Sequence, residues 1–402
     1  EAASVVEALA AKTTTERTAQ QQQQQQHTPR ATETSPTVGT NFSALKTSAP
    51  AHRYATISGH SSGGSMAMQH LFAFSSSVVG AAIASGSAYG CGALPGGHLP
   101  DGKCYYGGLD VRASLGYIAS RASLGLIDDP SNLRWTPIVL FNGKNDMVVW
   151  TQCMQDVQHQ LENYVAPGWL KENFDTDAVH VWSVDHGSCV CGQCSYGSCC
   201  DVNNCNYDLS GEMLRSTYGP LWPRTEATQY YHWIEQSHFV PPRGKGNLRR
   251  WRKARFARWA LAYVPTGCVG KATECRVHVD YHGCVSDDWN QRLEWSNNLD
   301  LNEYGEANNI VIIYPQAKGD KRTGTGCWNW GFPSDDILYD TKASIQLMTV
   351  KNLINHLDRA LRSAERRHIS EGPPTTTDDA EGEIDLDGSD ESDDESEDLV
   401  VI

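Results

Sequence analysis

The apolar positions of this chain divide it into a patterned middle and two unpatterned ends. From about residue 54 to residue 361, short apolar runs alternate with stretches of helical period. Val78–Ala84, Thr136-Pro-Ile-Val-Leu-Phe141 and Asn309-Ile-Val-Ile-Ile-Tyr-Pro315 are apolar almost throughout, as strands buried on both faces of a parallel sheet must be. Tyr54–Ser58, Val179-His-Val-Trp-Ser183 and Arg276-Val-His-Val-Asp-Tyr281 read as further strands. Met66–Phe74 and Val157–Tyr164 are helix candidates. The best helix is Ile345–Leu361, where Leu347, Val350, Ile354, Leu357 and Leu361 form one stripe. Arg359, Arg362, Arg366 and Arg367 near its end suit the negative pole of the helix dipole. Strands alternating with helices predict one α/β domain with a largely parallel central sheet and helices on both faces.

Composition changes this picture mainly at the ends. Residues 1–50 form a Gln/Thr/Ser-rich leader with a homopolymer at Gln20–Gln26, and residues 371–402 form an acidic tail. Neither has an apolar period, so both are expected to be disordered, flanking a domain at 51–370. The net charge of −15 is local: Asp378 to Asp398 holds 13 acidic residues and no basic one, leaving the remainder near −2. That balance carries no overall nucleic-acid signature, and no run reaches the ~18 apolar residues of a membrane span. An insert near 241–260 is the exception, with eight Lys/Arg, no acid, and Trp251, Phe256 and Trp259 interleaved. It reads as a solvated basic face, with a grip on an anionic surface as the alternative.

The chain has 13 cysteines, which point to an oxidising compartment. Its N-terminal stretch lacks a basic start followed by an apolar run, so this extracellular expectation rests on the cysteines. Cys91 and Cys104 flank a loop suited to a short disulfide. Cys189, Cys191, Cys194, Cys199, Cys200 and Cys205 are dense enough for a stapled loop or, alternatively, a zinc cluster; the stapled loop is the expectation, with no metal or other cofactor.

The chemistry centres on Gly59-His60-Ser61-Ser62-Gly63, a G-x-S-x-G elbow between a strand and a helix. Glycine on either side lets strand and helix approach closely while the serine hydroxyl stays exposed. Ser61 is the candidate nucleophile, and the Ser62 N–H can meet an oxyanion at the helix start. A serine nucleophile needs a base and a carboxylate that orients it. Asp146 and His186 each lie just beyond a strand and follow Ser61 in the order Ser, Asp, His. Asp185 and His180 are rivals for the two partner roles. The loop His282-Gly283-Cys284 resembles one that supplies an oxyanion N–H ahead of the nucleophile, yet here it follows by over two hundred residues. A circularly permuted chain reconciles the two, with Ile345–Leu361 as the helix preceding the elbow strand.

At this point the sequence resembles the circularly permuted, single-domain extracellular poly(3-hydroxybutyrate) depolymerases of the α/β-hydrolase superfamily. The matching stretches are SGHSSGGSMA, NGKNDMVV, NCNYD at Asn204–Asp208, YVP at Tyr263–Pro265, VHVDYHGC, NNIVIIYPQ and GCWNW, spread over about residues 54 to 361. The resemblance implies a serine esterase with Ser61, Asp146 and His186 as its triad. It implies the Ser62 and Cys284 backbone N–H groups as oxyanion donors and Trp328 as an aromatic wall against substrate. It further implies the pairs Cys91–Cys104, Cys194–Cys205, Cys268–Cys275 and Cys284–Cys327. The expected partner is a polyester or another ester as substrate, with the chain acting as a monomer and no nucleic acid or membrane involved. The alternatives are an esterase for feruloyl or acetyl esters of polysaccharide, and a non-catalytic module gripping a polymer through Trp328, Trp330 and the basic insert.

Overall fold

The computed structural model describes residues 55–98, 100–193, 201–241, 255–269, 275–284, 289–319, 326–331 and 336–371, with the backbone alone for Trp289 and 362–371. The leader, the acidic tail, most of the basic insert, and Cys194, Cys199 and Cys200 lie outside the described residues.

Ten strands form in chain order: β1 Ala55–His60, β2 Val78–Ala84, β3 Ile138–Phe141, β4 Leu170–Asn173, β5 Trp182–Val184, β6 Val202–Asn204, β7 Tyr231–Glu235, β8 Trp259–Tyr263, β9 Arg276–Tyr281 and β10 Ile310–Tyr314. Eight build one sheet in the order β4-β3-β2-β1-β9-β10-β8-β7, and β5 pairs with β6 apart from it. The six strands from β4 to β10 run parallel, whereas β8 and β7 join antiparallel. The elbow strand β1 is therefore central, and its neighbour β9 arrives from the other end of the chain.

Helices cover both faces: α1 Ser62–Ala73, α2 Val111–Ser123, α3 Thr151–Leu161, α4 Leu209–Tyr218, α5 Trp289–Asn298, α6 Leu301–Asn308 and α7 Ile345–Glu371. On one face Ile57, Ile83, Val279 and Ile313 meet Leu71 of α1, Met154 of α3, and Leu347, Val350 and Ile354 of α7. On the other, Ala82, Val139, Leu261, Ile310 and Ile312 meet Met213 of α4, Trp295 of α5 and Leu301 of α6. Every residue of β10 is buried, as its continuous apolar run requires. Among the described residues no helix is long and apolar enough to cross a membrane.

Two expectations are corrected here. The expected strand Val179–Ser183 shrinks to Trp182–Val184 and lies outside the main sheet, because Val181 N–H turns back to Val179 C=O at 2.9 Å. The helix expected at Val157–Tyr164 begins six residues earlier. Its buried stripe includes Asp156 and Gln160, which bond the Leu109 N–H and both backbone groups of Tyr89, so apolar periodicity conceals the first turns.

A polar chain crosses the sheet beneath β1 and β9. Ser58 Oγ donates to Asp280 Oδ1 at 2.5 Å, so its lone pair must accept from His278 Nε2 at 2.9 Å. His278 Nδ1 then accepts from Thr56 Oγ1 at 2.8 Å, and Thr56 in turn accepts from Tyr218. Burial holds His278 neutral, lowering its pKa to about 3, and raises that of Asp280 to about 6. Below about pH 6.5, the ordinary histidine value, an unfolded chain takes up a proton that folded His278 refuses, so its contribution to stability is lost as pH falls toward 3. Replacing His278 with Gln removes that uptake. The slope of unfolding free energy against pH, measured by urea titration between about pH 4 and 6, should flatten by ~1.4 kcal/mol per unit.

Candidate active site

The elbow forms because three backbones come together where only glycine fits. A Cβ on Gly59 would run into the Gly63 carbonyl, and one on Gly63 into the carbonyls of Tyr281 and His282. Between them Ser61 takes φ 59° and ψ −123°, a conformation costly for a non-glycine residue, and caps α1. Its N–H is held by Ala84 C=O at 2.9 Å, at the end of β2. The strain sits at the candidate nucleophile.

Asp146 is anchored from three directions. Its Oδ1 accepts the Val148 and Val149 N–H groups, each at 2.9 Å, and its Oδ2 accepts Ser85 Oγ at 2.9 Å. The fourth partner is His180, with Nδ1 2.7 Å from Oδ2. Four donors on two oxygens fit an ionised, acceptor-only carboxylate, so His180 Nδ1 carries the proton and its lone pair is left on Nε2. The Asp146 side chain is fully buried, whereas that of His180 is 19% exposed. Backbone bonds bring the two loops together: Lys144 N–H to Thr176 C=O at 2.9 Å and Asn145 N–H to Ala178 C=O at 3.0 Å. Gly143 permits this, because a Cβ there would meet the Ala178 and Val179 backbone.

His186 is not at this site. It is 59% exposed, with Nδ1 3.5 Å from Asp185 and Nε2 3.3 Å from Asp300. The expected pairing of His186 with Asp146 is thus corrected in favour of His180. His186 lies just beyond the strand read at Val179–Ser183, but the turn at Val179–Val181 takes His180 out of that strand. Asp185, His186 and Asp300 lie close enough to share a cation, but Arg224 already bridges Asp300 at 2.5 Å and Asp185 at 2.8 Å. A cavity of about 530 Å³ opens beside this cluster, and its lining includes none of Ser61, Asp146 and His180.

The His282-Gly283-Cys284 loop lies against the elbow, with a Cβ on Gly283 falling 3.3 Å from Ser61 Cβ. His282 Nε2 accepts the Ala317 N–H at 3.0 Å, so its Nδ1–H donates to the Gly283 carbonyl at 2.6 Å. This fixes the plane of the peptide whose N–H belongs to Cys284. Burial and nearby Arg292 keep His282 neutral, lowering its pKa to about 3. The Cys284–Cys327 disulfide joins this loop to the Trp-rich loop, whose Trp328 N–H reaches Ser62 Oγ at 3.3 Å.

Trp328 itself departs from expectation. It is fully buried, edge-on to Tyr281 and Phe256, and so packs the floor of the site rather than forming an open wall. Trp330 is nearly buried against His98 and Tyr105. The exposed apolar groups near Asp146 are instead Met147, Val148 and Trp150, with Tyr106 5.0 Å from the Trp150 ring. The expected disulfides Cys91–Cys104, Cys268–Cys275 and Cys284–Cys327 form. Cys205 pairs with Cys191 rather than Cys194, because a bridge between Val190 and Asn204, with the Cys191 N–H on the Asn204 carbonyl at 3.1 Å, sets Cys191 beside Cys205. Cys189 is also disulfide-bonded, so three sulfurs of the alternative zinc cluster are committed, while Cys153 is a buried free thiol. Gly63→Ala should lower stability by ~1–3 kcal/mol in urea unfolding through its clash with β9. Gly116→Ala, which meets nothing within 4 Å in the middle of α2, should instead stabilise by ~0.4–1 kcal/mol.

No protein-family model matches the chain. A poly(3-hydroxybutyrate) depolymerase of Delftia acidovorans is 29% identical over 317 residues, covering 75% of this chain and 59% of that protein. The chain therefore spans a little over half the length of that relative. A polyhydroxybutyrate depolymerase of Talaromyces funiculosus is 27% identical over 289 residues, covering 68% of this chain and 81% of its own length. Among solved structures, a Ser-to-Ala variant of a PHB depolymerase complexed with an R3HB trimer superposes with TM-score 0.65 at 25% identity. The PHB depolymerase from Penicillium funiculosum gives 0.63 at 25%, and each match covers 75% of this chain and 95% of the other. In sequence and in α/β-hydrolase-like fold, the chain is similar to the poly(3-hydroxybutyrate) depolymerases that its motifs resemble.

Proposed function

We propose that this chain is an extracellular serine esterase that hydrolyses ester bonds of poly(3-hydroxybutyrate)-type polyesters. The observation that carries the reading is the 2.7 Å pair of Asp146 and His180, on the loops that follow β3 and β4, beside a positive-φ Ser61. The depolymerase relatives supply the substrate class, and the four disulfides among the described residues fit an oxidising compartment.

In this reading His180 Nε2 takes the Ser61 hydroxyl proton as Oγ attacks the ester carbonyl. The oxyanion rests on the Ser62 and Cys284 N–H groups. The His180 imidazolium, held by Asp146, returns its proton to the departing alkoxide, which leaves as a hydroxyl end. Water then gives a proton to His180 and its oxygen to the acyl carbon, releasing the acid and restoring Ser61. The site is complete within one chain, in keeping with action as a monomer. Met147, Val148, Trp150 and Tyr106 give the rim an apolar strip suited to a water-insoluble polyester.

Circular permutation accounts for the strand order. β9, bearing the His-Gly-Cys loop, lies beside β1 although 222 residues separate Thr56 from its partner His278. α7, last in the described chain, packs on the same face as α1, with Lys351 Nζ 2.7 Å from Ser77 Oγ just before β2.

Ser61→Ala and His180→Ala should each lower kcat for p-nitrophenyl butyrate by at least ~10²–10⁴-fold, while His186→Ala retains wild-type kcat. Full activity in His180→Ala, or its loss in His186→Ala, would return the base assignment to His186. Trp150→Ala should leave the soluble ester within about twofold and slow the release of acid from polymer film by ~10-fold, since film contact depends on a few large apolar anchors.

A further inference from the structure

A column of buried rings stands behind His180, and the proposed reaction makes no use of it. The His60 ring lies 4.4 Å from that of His180, tilted by 44°. Trp295 stacks behind His60 at 5.8 Å, within 28° of parallel. The Trp295 Nε1–H donates to Asp280 Oδ2 at 2.8 Å, and Asp280 is held from β1 by Ser58. Trp182 closes the stack edge-on to Trp295 at 6.0 Å. The column thus stands on the two central strands of the sheet.

His180 has no such footing of its own. It belongs to the irregular segment after β4, and among the described residues its ring makes one hydrogen bond, to Asp146. One hydrogen bond through Nδ1 leaves the imidazole able to pivot about that contact, which would swing Nε2 away from the Ser61 hydroxyl. A ring packed against its face restricts the pivot, and general-base catalysis depends on that angle.

We propose that His60, seated on Trp295, is a positioning residue that fixes the orientation of the His180 imidazole. Its effect is mechanical, and it needs a ring that stays uncharged beside the imidazolium formed on His180. Full burial and the neighbouring His180 both push His60 toward its neutral form. His60 Nε2 is buried and makes no hydrogen bond to any described residue, so no polar contact at that atom competes with the packing. Among residues between the two glycines of an elbow, a small side chain would satisfy the turn; here a large ring is used, and it faces the base.

The inference rests on His180 being the catalytic base, and the test separates the two. His60→Ala, His60→Phe and Trp295→Phe are compared with His180→Ala, reading kcat and KM for p-nitrophenyl butyrate. In parallel, the far-downfield proton resonance of His180 Nδ1–H is read in the free enzyme. His60→Ala should lose ~10–10²-fold in kcat with KM within about twofold, and its Nδ1 proton signal should broaden or vanish. His60→Phe, which keeps a ring at that place, should recover most of the rate and the signal. Trp295→Phe, which keeps a ring but loses the Asp280 anchor, should fall between. A folded His60→Ala with wild-type kcat and an unchanged resonance overturns the inference while an inactive His180→Ala leaves the esterase reading standing. Should His60→Ala not fold, unaltered kcat and resonance in Trp295→Phe overturn it, as does a loss in folded His60→Phe as large as that expected for Ala. An active His180→Ala instead removes the reading on which the inference rests.

Discussion

The carboxylate of Asp146 is the point on which the site depends. Its four donors come from three separate pieces of chain: the Met147–Val149 turn, Ser85 at the end of β2, and His180. A buried carboxylate with fewer partners would carry a desolvation cost of several kcal/mol, so these segments are obliged to converge. That convergence sets the angle at which His180 meets the elbow. It also explains why Ser85 tolerates φ 46°, since the turn directs its hydroxyl at Asp146.

The same economy recurs on the far side of Ser61. A neutral His282 bonds its own neighbouring carbonyl, the Cys284–Cys327 bridge ties that loop to the Trp-rich loop, and Trp328 fills the space between. Each is a restraint on backbone position, which suits a site whose proposed oxyanion donors are backbone groups. Trp328 matters here as packing. A large indole with no exposed surface holds two loops at a fixed separation.

Much of the central sheet was legible because β2, β3 and β10 are apolar almost throughout and β1 and β9 alternate: β2 and β9 are found at the expected residues, and β1 and β10 within one or two positions. The elbow was legible because glycine spacing encodes close backbone approach. What escaped was decided by contacts remote in sequence. β7 and β8 mix Tyr, His, Trp and Glu with apolar residues, and the first turns of α3 bury polar side chains that bond other loops. His180 and His186 flank a single short strand, and the choice between them turns on one carbonyl at Val179 that no periodicity reveals. Ser85 and His60 carried no signal beyond their neighbours, since the partner of each lies dozens of residues away. Cys191 and Cys194 are three positions apart, and the bridge from Val190 to Asn204 is what sets Cys191 beside Cys205.

The order of strands has a consequence for how the molecule comes into being. During synthesis β1, β2, β3 and β4 are made first and can pair as one parallel half-sheet, leaving one edge of β1 open. That edge is an apolar strand with unpaired amide groups, and its partner β9 emerges more than two hundred residues later. At ~5–20 residues per second, the interval is of the order of ten seconds or more. Throughout it the future centre of the sheet is an exposed edge, open to pairing with other chains. A fold whose middle is assembled from the two ends of its sequence also has many long-range contacts, which slow the search for the native pairing. The arrangement that places the His-Gly-Cys loop beside Ser61 thus defers completion of the site until nearly all of the domain exists, so no half-made chain can carry it.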